Sequence, residues 1–147
     1  MIERPRLMSK MNTVWHRLNP SSNAERVSID YQLDVRFRNM LGKYKILLSS
    51  RDPFDVIRAI VGPGCVERQE GHIVLPSAHA KVGMAAIDLV DEVITSLGLG
   101  EKMPRSEEAM LQLINAVFHA LPADCRSSLS IPTLAQIKQL VVSAAAR

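Results

Sequence analysis

Aromatic side chains are nearly missing from this sequence, at 4% of 147 residues. A core without them has to be filled by Leu, Ile, Val, Ala and Met, which suits packed helices better than a large sheet. Cysteine is as scarce: Cys65 and Cys125 stand far apart, which excludes a disulfide framework and leaves reduced thiols as the expectation. No apolar run approaches the roughly 20 residues a bilayer requires, and the N-terminal stretch has cations (Arg4, Arg6, Lys10) without the apolar run of a signal peptide. A cytoplasmic protein with no membrane partner is expected.

Phosphate-cradling loops are also missing. Gly62-Pro63-Gly64 lacks the Gly-Lys-Ser/Thr ending of a nucleotide loop, and Gly98-Leu99-Gly100 lacks the third glycine of a dinucleotide fingerprint. Both read as turn punctuation. Ser77 beside His79, and Cys125 near His119, have no surrounding nucleophile signature and no orienting third group. Cys65, His72 and His79 recur every seven residues and carry zinc-ligand chemistry. Ligand pairs stand two to five residues apart, however, and this spacing does not match. No catalytic residue, metal ligand or cofactor is therefore assigned. The carboxylates Asp88, Asp91 and Glu92 read as a solvated helix face.

What is present is an uneven charge distribution. Residues 1–51 hold ten Lys or Arg against four Asp or Glu, and residues 52–147 hold eight against eleven, within a net charge of +3. Such asymmetry points the first third at an anionic partner, nucleic acid included. Arg36, Arg38, Lys43 and Lys45 are its densest part and the candidate nucleic-acid contacts. In a hairpin turning at residues 39–42 all four would share one face. In a helix they split into two lines, Arg36 with Lys43 and Arg38 with Lys45.

That choice depends on residues 27–48, where two periods coexist. Val27, Ile29, Tyr31, Leu33, Val35 and Phe37 alternate with polar residues, whereas Ile29, Leu33, Phe37, Met40, Leu41, Tyr44, Leu47 and Leu48 line a helical face. Asp30 and Asp34 near the start and Lys43 and Lys45 near the end complement a helix dipole, so a helix is the reading taken. Strands here would make the fold α+β. Around this segment, Leu7, Met11, Val14, Trp15 and Leu18 predict a short amphipathic helix over 7–18, and Asp52-Pro53 opens a helix ending at Gly62. A hairpin is expected over 65–75, then a helix over about 77–97 whose Ala80, Gly83, Ala85 and Ala86 admit a close neighbour. Ser106 caps the next helix, and Thr133 with Gln136 reads as a capping box for the last. The expected fold is mainly α, about five helices with one small β-hairpin. It divides into a basic arm over 1–26 and one globular domain over 27–147.

The two C-terminal helices carry the strongest functional signal. Residues 109–121 contain no charge and residues 127–146 contain only Lys138. A surface helix normally solvates its outer face with charge, and a chain this size can bury about one helix centrally, not two. A protein interface is expected there, through Leu113, Val117, Phe118, Ile137, Leu140 and Val141. The function expected is non-enzymatic assembly, as a homo-oligomer or a subunit of a larger complex, with a basic N-terminal third touching nucleic acid. The alternative is a small enzyme or metal-binding protein with its site around Cys65–His79.

Overall fold

The computed structural model describes residues 26–28 (backbone), 32–122 and 129–146. The helix expected over 7–18 lies outside these residues, as does Cys125. The chain runs β1 (Arg26–Ser28), α1 (Gln32–Lys43), α2 (Pro53–Val61), β2 (Glu67–Gln69), β3 (His72–Pro76), α3 (Ser77–Ser96), α4 (Glu107–Ala120) and α5 (Ile131–Ala145), with 3-10 turns at Pro63–Cys65 and Gly100–Lys102. Among the described residues the fold is mainly α, five helices and a small β-hairpin. No helix among the described residues is long and apolar enough to cross a membrane.

Both periods of the ambiguous segment are used, one after the other. Arg26–Ser28 pairs antiparallel with Val74–Pro76, so the hairpin becomes a three-stranded sheet of order β1-β3-β2. From Gln32 the helical period wins, because Leu33, Phe37, Met40 and Leu41 can all enter the core from one face. The α+β alternative for 27–48 is thereby corrected: within it Val27 and Ser28 are strand and the twelve residues Gln32–Lys43 are helix. Gly42 is next to last in α1, where it interrupts nothing. The helix closes by donating Ile46 N–H to the Leu41 carbonyl (2.9 Å) and Lys45 N–H to that of Gly42 (3.1 Å), with Lys45 left-handed at φ 59°. This paired-bond ending usually has glycine at the left-handed position. It throws Ile46 back into the core and leaves Leu47 and Leu48 in solvent, off the helical face the sequence suggested.

The remaining elements follow local chemistry. Asp52 accepts from the Phe54 amide at 2.8 Å, with Pro53 in the first turn of α2. Gln69 pairs with His72 across a two-residue turn, Glu70 (φ 51°) and Gly71 (φ 81°), the left-handed pair that matches strand twist. Ser106 accepts from Ala109 N–H at 3.2 Å to start α4. For α5 the cap is Ser130, whose hydroxyl accepts from Thr133 N–H at 3.2 Å. The expected Thr133–Gln136 box is therefore displaced by one turn, since Pro132 is tolerated in a first turn that makes no intrahelical N–H bonds.

One core holds these elements together, with α4 at its centre against α2, α3 and α5. A Cβ on Gly83 of α3 would stand 3.2 Å from a Leu33 methyl and 3.3 Å from a Val61 methyl, so α1, α2 and α3 meet closely at that residue.

Candidate interaction surfaces

The basic cluster folds into the two lines that a helix dictates. Arg36 and Lys43, two turns apart on α1, face α3. Arg36 donates twice to Asp88 (2.8 and 2.9 Å), and Lys43 donates to Asp91 at 3.1 Å. The Tyr44 hydroxyl also donates to Asp91 and lies 3.0 Å from the Thr95 hydroxyl. Asp91 thus receives a phenol and an ammonium together. Burial, then the bond to Asp91, raises the Tyr44 pKa above the usual phenol value, and the bond to Asp91 raises that of Lys43.

Arg38 points elsewhere. Its Nε donates to the buried Asp34 at 2.7 Å, and its guanidinium continues to the backbone carbonyls of Ser49 (3.4 Å) and Arg51 (2.7 Å). Lys45, past the helix end, is exposed and has no carboxylate partner among the described residues. The four cations do not form one ribbon.

Between α1 and α3 lies an open cleft of about 590 Å³, with Val35, Met40 and Ile87 as its apolar lining. Its charged rim is Arg36 and Lys43 against Asp88 and Asp91, which sums to zero. Asp88 and Asp91, read from sequence as a solvated face, are the carboxylate half of this rim.

A second polar network fixes the connection from α1 to α2. Glu107, 6% exposed at the start of α4, accepts from Ser49 N–H (3.1 Å), the Ser49 hydroxyl and Arg51 Nε (2.9 Å). Arg105 donates to the Tyr44 carbonyl from the adjoining loop. Leu47, 86% exposed, projects from a connection held at both ends.

Cys65, His72 and His79 do not converge on a common point. Cys65 is half-buried in a 3-10 turn, His72 is exposed at the start of β3, and His79 sits in the first turn of α3 with its ring 5.9 Å from that of Phe118. No group of three or more His, Cys, Asp or Glu side chains able to hold a metal occurs among the described residues. His119 is exposed on α4, edge-on to Phe118 at 5.4 Å.

The six apolar residues assigned to an interface all serve the chain's own core. Val117, Ile137 and Val141 are fully buried, Leu113 and Phe118 nearly so, and Leu140 is half-buried. Beyond the Glu107 and Glu108 of its first turn, helix α4 carries no formal charge, and three helices surround it.

Helix α5 is different. It packs principally on α4 and α3, and turns Ile137, Leu140, Val141 and Ala144 inward. On the far side, spaced four, three and four residues apart, stand Ile131, Ala135, Lys138 and Val142, all exposed, Ile131 at 85% and Val142 at 42%. That alternation of four and three is the spacing of a helix–helix seam. Sequence reasoning counted the missing charges of α5 but did not separate its two faces. The signal was available, because both seams are readable once the helix start is known.

No protein-family model, curated protein or solved structure matches the chain.

Proposed function

We propose that this protein is a non-enzymatic assembly protein, a homo-oligomer or a subunit of a larger complex, that associates through the outer face of α5. The observation that carries this reading is the second apolar seam, with Ile131 and Val142 in solvent on a helix whose one charge is Lys138. Full burial of a side chain such as Ile is worth about 1.5–3 kcal/mol, so an interface recovers free energy the lone chain forgoes. The cytoplasm is the compartment that fits two isolated cysteines.

Contact with nucleic acid by the basic third lacks such an observation. Exposed ion pairs contribute only about 0.2–1 kcal/mol, so Arg36 and Lys43 can be drawn off at small cost. Asp88 and Asp91 would remain beneath them, and a phosphate would meet a rim of no net charge. The reading rests on Lys45 and on the other cations of the first 26 residues, Arg4, Arg6, Lys10, Arg17 and Arg26.

Sedimentation velocity across the micromolar range tests the assembly reading. Wild type is expected to associate reversibly. Ile131→Asp with Val142→Asp is expected to abolish association and leave the far-ultraviolet spectrum unchanged, because both positions are exposed. Val117→Asp, at a fully buried position, is expected to unfold the chain. A wild type that stays monomeric and aggregate-free at high micromolar concentration sinks the proposal.

A further inference from the structure

We infer that residues 7–18 of this chain lie as a helix in the cleft between α1 and α3, antiparallel to α1, with Trp15 over Val35. The inference is independent of assembly through α5.

The occupant follows from the sequence. Leu7, Met11, Val14, Trp15 and Leu18 share one face of a twelve-residue helical pattern. A helix that short is marginal by itself, so its apolar face needs a surface to lie on. The cleft has the matching length. Its α1 wall runs from Gln32 to Lys43, also twelve residues, or about 18 Å. Its lining includes Val35, which is 52% exposed where the other large apolar residues of α1 are buried.

Where the chain enters the fold sets the direction. Leu33 lies against Gly83, Arg36 bonds to Asp88, and Lys43 bonds to Asp91 and Thr95, so α1 and α3 run side by side in the same sense. Arg26 pairs with Pro76, immediately before α3. From there the Gln32 end of the cleft, level with Gly83, is about 10 Å along α3, and the Lys43 end, level with Asp91, is about 22 Å. Residues 19–25 can span at most about 25 Å. They reach the near end with slack and the far end only when taut. Leu18 therefore stands near Gln32 and Leu7 near Lys43, which brings Trp15 level with Val35 and Met11 level with Asn39.

Charge agrees with that direction. Arg4, Arg6 and Lys10 come to the end of the cleft where α3 carries Asp88, Asp91 and Glu92. Asp88 and Asp91 are bonded to Arg36 and Lys43, whereas Glu92 is exposed and has no ion pair among the described residues. The start of the arm helix also lies beside the end of α1, where opposite poles of two helix dipoles meet. A tether of seven residues holds the arm at an effective concentration on the order of millimolar, so the arm of a second copy does not compete in the micromolar range.

Trp15 is the one tryptophan of the chain, and its emission reads the docking. In the full chain the emission maximum is expected at shorter wavelength than in the urea-unfolded chain, with weaker quenching by acrylamide. Both are expected to stay put on dilution from micromolar to nanomolar protein. Val35→Asp, at an exposed helical position, is expected to move both toward the unfolded values while the amides of α4 remain protected from exchange. Glu92→Lys moves them the same way to a smaller extent, and Val35→Leu and Val142→Asp leave them in place. A wild-type maximum already at the unfolded position overturns docking of the arm. A short-wavelength maximum indifferent to both Val35→Asp and Glu92→Lys overturns the cleft as its seat. A maximum that shifts to longer wavelength on dilution places the arm on a second copy and overturns the inference, while association through α5 is judged separately by Ile131→Asp with Val142→Asp.

Discussion

Asp91 collects two donors of different chemistry, and that fixes how the α1–α3 contact responds to base. The Tyr44 phenol and the Lys43 ammonium must both keep their protons to hold it. Both pKa values are raised in the fold, Tyr44 first by burial and Lys43 first by its bond to Asp91. A raised folded pKa means stability that is complete below the unfolded value and is lost as pH rises through the folded one. The unfolded values are 10.0 for the phenol and 10.5 for the ammonium. Urea midpoints are therefore expected to hold steady to about pH 9.5 and then fall, given ordinary side-chain pKa values near 10. Tyr44→Phe with Lys43→Met starts lower and declines less over that range. Equal slopes for variant and wild type would remove these two groups from the account. The rim of the cleft was hidden in the sequence for a related reason. Arg36 and Lys43 lie two turns apart on one helix, and their carboxylates stand about fifty residues further along the chain. Local charge counting sees the cations and cannot see Asp88 and Asp91 arriving beneath them.

At the scale of elements, the sequence was legible wherever the chain marks its own boundaries. Asp52-Pro53 and Ser106 each cap the helix they were expected to cap, and Gly98 (φ 65°) turns the chain out of α3. The end of α1 was not legible, because Lys45 occupies the left-handed position where glycine is the usual sign. Neither was the shortness of β1, whose alternation was read over a longer run and of which three residues pair with β3. The small residues of α3 were read correctly as permitting close approach, and Gly83 is where that happens. Gly83→Val is expected to destabilise the fold by about 1–3 kcal/mol, since a branched side chain must displace Leu33 and Val61 and overpacking costs in that range. Chemical denaturation measures it. A loss below about 0.5 kcal/mol, the ordinary range of a surface change, would show that α1 and α2 yield freely.

The whole molecule divides its charge-poor helices by position. Helix α4 is the one helix a chain of this size buries on most sides, and its apolar residues are consumed there. Helix α5 lies on the periphery with the same poverty of charge, and only there does the composition leave something over. Sequence composition predicted an interface from both helices together and therefore selected core residues of each, from Leu113 to Val141. The burial of α4 separates the two cases, and it follows from the packing of α2, α3 and α5 around it, which no periodicity within α4 can reveal.

Glu107 gives this arrangement a reporter. The Ser49 amide lies in an exposed, irregular stretch, where a backbone N–H would ordinarily trade its hydrogen with water freely. Here it donates to a buried carboxylate 58 residues away, on the first turn of the central helix. Its deuterium uptake therefore measures how often α4 lifts from its seat, a clock on the opening of the core that is read from a single peak outside it. Slow exchange at Ser49, made fast by Glu107→Ala while α4's own amides stay slow, is the expected pattern.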